Sequence, residues 1–388
     1  MNSPIMPTYG RQEIAFVKGE GSWLIDSKGD RYLDALSGIA VMVLGHSNPA
    51  ITRAIKEQSS ELIHTSNLYR IPNQEKLAGQ LQAISGMDNM FFANSGAEAN
   101  ECAIKIARLH GHKKKIENPV IIVADSAFHG RTLATLTATG NRKVHAGFEP
   151  LVDGFVRVPF NDIEAIKNVA ENNKSVVAIF VEPVQGEGGI RIPNIHYLKE
   201  LRNICDQKDW LLMLDEIQTG YGRTGTFFSY QNYDVTPDIA TLAKGLGNGV
   251  PIGVCLAKGK ASELMQPGNH GSTFGGNPLV CRVASAVLDE IERQKLPERA
   301  SQLGLRMKKT FEDRIGSLNI VREIRGIGLM FGIELNEPCS HLVGKALEKK
   351  LLINVTAGNV IRLLPPLTIT DAEADQICEL VSQLIEGR

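Results

Sequence analysis

Residues 210–249 read WLLMLDEIQTGYGRTGTFFSYQNYDVTPDIATLAKGLGNG, and the fold turns on this stretch. Trp210–Leu214 is an apolar run without polar alternation, the pattern of a parallel strand buried on both faces. It ends on two carboxylates, Asp215 and Glu216. In open α/β sheets, ligands bind outside this carboxyl edge of the strands. Asp238-Ile-Ala-Thr-Leu-Ala predicts a second short strand, and Lys244 follows it among small residues in AKGLGNG. About one strand–loop–strand excursion separates the two groups, so Asp215 and Lys244 can face one pocket.

A carboxylate and a lone lysine in a glycine-rich mouth suit one chemistry well. A lysine can hold pyridoxal phosphate covalently, and an aspartate beside the pyridine nitrogen keeps that nitrogen protonated. A positive ring then drains the electrons released when a proton leaves the substrate carbon. A solvated surface lysine and an aspartate closing a turn would leave the same two residues. Gly220-Tyr-Gly222-Arg-Thr-Gly225 also fits G-x-G-x-x-G after a strand. A dinucleotide site needs a helix to open there, with its N-terminus on the pyrophosphate. The chain instead continues TFFSYQNYDVTP, aromatic and without helical period, so the nucleotide reading is set aside.

LLMLDEIQTGYGRTG with PDIATLAKGLGNGVPIG resembles the cofactor-lysine signature of the class III (ω-type) pyridoxal-phosphate aminotransferases. SGAEANE (95–101), AFHGRT (127–132), VEPVQGEGG (181–189) and GSTFGGNPL (271–279) resemble that family's other landmarks, in the same order. Five spaced motifs are far more specific than any one. The resemblance implies an α/β fold of the fold-type I class: a large domain with a mostly parallel central sheet plus a smaller α+β domain. It implies Lys244 as the cofactor lysine and proton shuttle, and Asp215 at the pyridinium. Ser95, Gly96 and Ala97 are implied at the cofactor phosphate and Phe128 on its ring. Glu216, Ile217 and Gln218 fall with the cofactor residues, Gln218 reaching the ring's phenolic oxygen. Thr273 is implied at the phosphate of the neighbouring subunit's cofactor, so the active unit would be a homodimer with shared sites. Arg131 is implied at the substrate's distal carboxylate and Arg362 at the α-carboxylate of glutamate. Tyr9 and Ser272 are placed near the substrate.

The implied reaction moves the ω-amino group of an acylated ornithine, acetylornithine first, to 2-oxoglutarate. Ile39 stands where the ornithine enzymes carry a tyrosine near the α-amine, which favours an acylated amine. Succinylornithine, ornithine, succinyl-diaminopimelate and 4-aminobutyrate stay open as donors. A decarboxylase or aminomutase on the same scaffold is a second reading, and a binding or regulatory protein without turnover a third. Two arginines suited to a dicarboxylic partner favour transamination with glutamate.

Several positions carry a physical reading of their own. Asn89–Ala93 predicts a strand, and Asn94–Glu98 turns into a helix running to about His110. Unpaired amides at that helix start suit an anion. An ordinary capping box, Ser95 with Glu98, fits equally. Phe128 and Arg131 follow the buried strand Pro119–Ala124. An aromatic there can stack on a planar ring and an arginine can fork onto a carboxylate. A core phenylalanine and a solvated arginine would look the same. Ser175–Val181 is another buried strand, and Glu187 follows it with glycine on three sides, free to swing toward or away from a charge. Arg362, in NVIRLLPPL, needs a partner, either a structural ion pair or a bound carboxylate.

At 388 residues the chain suits two domains. The expected division is 1–48 as the N-terminal part of the small domain, 49–277 as the large cofactor-binding domain, and 278–388 as the remainder of the small domain. Lysines and arginines number 42 against 43 acidic residues, so no basic excess points to nucleic acid or a membrane surface. The six cysteines show no paired spacing, and His129, His110 and His112 lack a second ligand set, so no metal site is expected. No apolar stretch approaches a membrane span, and MNSPIMPTYGRQE lacks leader character. A cytoplasmic protein is expected.

Overall fold

The structure is a computed structural model describing residues 4–387. Residues 1–3 of the stretch read for a leader, and Arg388, lie outside it. Seven strands form the central sheet, in the order Asn89–Ala93, Gly253–Ala257, Ile239–Leu242, Leu211–Asp215, Val176–Val181, Val120–Ala124, Phe155–Val158. All neighbours are parallel except Gly253–Ala257, which runs against both of its partners. Val176–Val181 and Leu211–Asp215 are buried along their whole length, as their unbroken apolar runs predict. Fully burying each such side chain contributes about 1.5–3 kcal/mol, enough to outweigh local propensity.

Alternate residues of these strands serve two different cores. Leu211, Met213, Phe180 and Ile239 pack with Ala99, Cys102, Ala103 and Ile106 of the helix Gly96–Lys113. Leu212, Leu214, Ile179 and Val181 belong to the core on the other face. This alternation fixes which way the residues at the sheet's edge point. Phe155–Val158 (FVRV) is not legible as a strand: it is four residues long, at the sheet edge, and interrupted by Arg157.

Gly220–Gly225 forms turns and not a helix start. A Cβ on Gly222 (φ 91°) would come within 3.0 Å of Pro297, and one on Gly225 (φ 98°) within 3.1 Å of Ser301. Arg223 is fully buried and donates to the carbonyls of Leu329 and Pro365. The motif therefore docks the C-terminal segment, which explains its glycines without a nucleotide.

The apolar stretch 351–355 forms two short strands. Leu351–Leu352 lies parallel to Arg31–Asp34, in a sheet with Phe16–Glu20 and Trp23–Asp26. Asn354–Thr356 joins Val360–Leu363, Met330–Leu335 and Val321–Ile327 in a separate antiparallel sheet. The chain thus changes sheets at Ile353. Glu373 of the last helix accepts the Trp23 indole N–H at 2.6 Å, a second tie between the two ends of the chain.

Ser37–Ala40 is a left-handed turn, with φ of 51°, 61°, 66° and 61° at Ser37, Gly38, Ile39 and Ala40. Each non-glycine residue there costs roughly 1–2 kcal/mol. Asp34 holds the turn by accepting the amides of Leu36 and Ser37 at 2.9 and 2.8 Å, and the Ser37 hydroxyl donates to the Leu364 carbonyl.

Candidate active site

A cavity of about 410 Å³ lies at the carboxyl edge of the central sheet. Ser95, Phe128, Arg131, Asp215, Gln218 and Lys244 are among its lining residues. Five strand ends converge there. The antiparallel strand begins just after the lining residue Ile252, at Gly253, whose missing side chain leaves room for the Ser95 carbonyl at 2.1 Å from where a Cβ would stand.

Ser95 caps the 18-residue helix Gly96–Lys113, its hydroxyl accepting the Glu98 amide at 3.2 Å. The reciprocal half of a capping box is absent, because Glu98 reaches the Asn94 amide at 2.6 Å instead. The amides of Gly96 and Ala97, in the first turn, can have no acceptor within the helix. They lie at the positive end of the helix dipole and line the cavity. A Cβ on Gly96 would stand 2.6 Å from Ile217, so only glycine lets the helix start close on that side chain.

Asp215 points into the face occupied by that helix, the same face as Leu211 and Met213. Its Oδ2 accepts from Asn100 Nδ2 and from His129 Nδ1, each at 2.8 Å, and its Oδ1 accepts the Ile217 amide at 3.1 Å. Asn100 also donates to the His129 carbonyl at 2.7 Å, and the His129 ring stacks on Phe180 at 4.1 Å between centroids. The carboxylate is therefore fixed by three donors on three segments. Sequence reasoning missed Asn100 and set His129 aside. The legible signal was an asparagine on the buried face of a helix, among alanine, cysteine and isoleucine neighbours from Ala99 to Ala107.

Lys244 follows the strand Ile239–Leu242, is half-buried and lines the cavity. Its φ of 34° lies in the left-handed region, a strain of the kind stored at functional sites. Loss of hydration lowers its ammonium below the ordinary lysine range. The positive Arg362 lowers it further, against Glu187, Asp215 and Glu182. A lysine shifted this way offers a neutral nitrogen, able to act as nucleophile and then as base.

Arg362 is fully buried and meets Glu187 Oε1 at 2.5 Å and Asn354 Oδ1 at 3.0 Å, while its second terminal nitrogen has no partner among the described residues. Arg131 is exposed, its guanidinium 5.2 Å from the Phe128 ring centroid. Phe128 and Arg131 form a common wall between the main cavity and a neighbouring one of about 440 Å³ that contains Glu187. The glycines around Glu187 are explained by packing. A Cβ on Gly186 would stand 2.3 Å from Gln218, and one on Gly188 2.8 Å from Gln185. Any swing of Glu187 thus belongs to its side chain.

Six expected residues lie outside the lining of the main cavity: the paired Glu187 and Arg362, and Glu216, Tyr9, Ser272 and Thr273. Glu216 continues on the opposite face from Asp215, fully buried, accepting the Thr219 hydroxyl and the Tyr230 amide. Burial, ahead of those bonds, pushes its carboxyl up to about 7. Strand alternation is the reason that it holds the Thr219–Tyr230 loop and not a ligand. Tyr9 is exposed. Ser272 and Thr273 lie on the 271–276 loop, Ser272 3.2 Å from Asn94 and Thr273 exposed. Ile39 is half-buried against Ala40, Val184 and Met330.

The donor set fits pyridoxal phosphate. An anion cradle at a helix start, a pinned carboxylate and a lysine of lowered basicity share one cavity with the unpartnered Gln218 Oε1. Ser95, Gly96 and Ala97 would hold the phosphate, Phe128 and Ile217 the ring faces, Gln218 the phenolic oxygen, and Lys244 the carbonyl carbon. Bound there, the cofactor supplies a ring that takes up the electron pair left when a substrate C–H proton departs. Fold and site together define a fold-type I enzyme dependent on pyridoxal phosphate.

Residues 6–385 match the family model described as aminotransferase class-III. The chain belongs to that family and is a pyridoxal-phosphate-dependent transaminase. It is 57% identical to the acetylornithine aminotransferase of Nitrosomonas europaea, over 99% of this chain and 98% of that one. It is 46% identical to the acetylornithine aminotransferase of Methanothermobacter thermautotrophicus, over 98% and 96%. Among solved structures, the ornithine aminotransferase of Toxoplasma gondii ME49 superposes with a TM-score of 0.95 at 32% identity, covering 99% of this chain and 93% of that one. The acetylornithine aminotransferase of Elizabethkingia anophelis gives 0.89 at 36%, covering 98% and 96%. Among the described residues, no helix is long and apolar enough to cross a membrane.

Proposed function

We propose that this chain transfers the ω-amino group of N2-acetyl-L-ornithine to 2-oxoglutarate, giving N-acetyl-L-glutamate 5-semialdehyde and L-glutamate, a step of arginine biosynthesis. The observation that carries the reading is the contrast between its two arginines. Arg131 is open, whereas Arg362 is buried and neutralised by Glu187. Acetylornithine has a distal carboxylate and none beside its reacting carbon. Glutamate has both. Arg131 grips the distal carboxylate of each substrate, with Ser272 and the N-terminal Tyr9 nearby. Glu187 covers Arg362 while acetylornithine is bound, since a bare buried cation would be costly, and turns away when glutamate brings its α-carboxylate. Lys244 takes the proton from the reacting carbon, and Asp215 holds a proton on the ring nitrogen. Ile39 leaves no hydrogen bond for a free α-amine, which favours the acylated donor over ornithine.

The same reading makes the working unit a cytoplasmic homodimer. Leu62, Ile63, Leu68, Tyr69 and Phe274 are exposed apolar side chains around the loop that carries Thr273, which would reach the partner's cofactor phosphate. The N-terminal residues 1–48 and 278–388 would form the small domain, beside a large domain over 49–277.

Two measurements test this. With 2-oxoglutarate as acceptor, a donor panel should give the highest kcat/KM for acetylornithine. A preference for ornithine or 4-aminobutyrate would overturn the substrate assignment. Glu187→Ala should favour the glutamate half-reaction over the acetylornithine one. Glu187 keeps more than a third of its side chain in solvent, so the effect falls below that of a fully buried pair. A relative shift of roughly tenfold is expected in stopped-flow absorbance of each half. Equal slowing of both would make Glu187 a structural turn residue only.

A further inference from the structure

Glu182 is a buried carboxylate in the main cavity with no task yet. It is the residue after Val176–Val181, and the pairing of Val181 with Leu214 sets it beside Asp215. Its Oε2 accepts the Phe128 amide at 3.0 Å, and its Oε1 accepts the Gly186 amide at 3.1 Å. Each amide belongs to a different wall. Phe128 opens the segment that ends at Arg131, and Gly186 precedes Glu187, the partner of Arg362. Burial outweighs the influence of His129 and holds the carboxyl above the usual range, so two backbone donors are the direct compensation for placing it there.

We propose that Glu182 is a positioning residue that sets the spacing between Arg131 and the Glu187–Arg362 pair, and through it the length of dicarboxylic amino acid that the site accepts. A carboxylate suits the task because both of its oxygens are acceptors, one for each wall. An amide at this position keeps one acceptor and turns an NH₂ toward the other backbone N–H. A shorter carboxylate cannot reach both. The inference rests on the substrate roles given above to Arg131 and Arg362, but its first test does not.

Glu182→Gln and Glu182→Asp, as full chains with and without cofactor, are compared with the parent by amide hydrogen exchange. Exchange should quicken in the 126–131 segment, the 185–190 segment or both, with the melting temperature little changed. In the loaded enzyme, the parent should prefer glutamate to its one-carbon-longer homologue, 2-aminoadipate. Either variant should narrow that preference by roughly tenfold, mainly through KM, because a misplaced grip loses binding made equally in the ground and transition states. Unchanged exchange in both segments would overturn the proposal. So would a parallel fall in kcat for every donor without a change of preference, the signature of a purely structural or proton-transferring carboxylate. A parent enzyme indifferent to chain length would sink the substrate reading, and the exchange result would then judge Glu182 alone.

Discussion

Lys244→Ala is expected to fold, to melt close to the parent, and to lose transamination by at least about 10³-fold. The estimate joins two roles. General-base transfer alone is worth roughly 10²–10⁴-fold, and removal of the covalent tether adds to that. No neighbour can substitute. Lys244 is the one lysine lining the cavity, and Arg131, the arginine lining it, stays protonated at any working pH. Lys244→Arg should fail as completely, since it keeps the charge but cannot offer a neutral nitrogen. The fold should survive because the side chain faces the cavity and makes no ion pair among the described residues, so its truncation breaks none. Small residues on either side set the local packing. A Cβ on Gly245 would stand 2.7 Å from Val43, and one on Gly247 1.9 Å from the Val250 carbonyl. The checks are circular dichroism, the visible absorbance that the cofactor acquires when a lysine holds it, and single-turnover rates. Parental absorbance and turnover in Lys244→Ala would end the assignment.

The sequence spoke most clearly where burial dictates composition. The runs at 176–181 and 211–214 are apolar because both faces of the sheet are covered, so their reading needed no tertiary knowledge. Lys244, Asp215 and the Ser95–Ala97 helix start were legible because each sits at a strand's carboxyl end. What could not be read is what depends on distant segments meeting. Asp215 is held by Asn100 and His129, far away in the chain, and Glu182 ties its own loop at Gly186 to the distant segment at Phe128. Glu216 was assigned with its neighbour, although adjacent residues leaving a strand face opposite ways. The left-handed turn at Ser37–Ala40 was invisible because only one of its four residues is glycine. It exists because Asp34 and Leu364 hold it, a case of tertiary contacts overruling local preference.

Asp215→Asn is the second large effect, and the surroundings of the carboxylate predict how it should arise. Asp215 receives three hydrogen bonds, from Asn100, His129 and Ile217, none of which can be returned. The three donors fix its position on the cavity wall, where its charge would face the ring nitrogen. An asparagine has one acceptor oxygen, so its NH₂ must face either the Ile217 amide or the donors of Asn100 and His129. The charge is lost and the group is also turned. Because that charge matters most as negative charge develops on the substrate carbon, kcat should fall by roughly 10²–10³-fold. Cofactor content should fall far less, since Lys244 and the Ser95–Ala97 amides do not depend on Asp215. Spectroscopic titration of bound cofactor, set against kcat, separates the two quantities. Loss of cofactor in proportion to rate would mean that Asp215 serves binding alone, and normal transamination by Asp215→Asn would remove it from the mechanism.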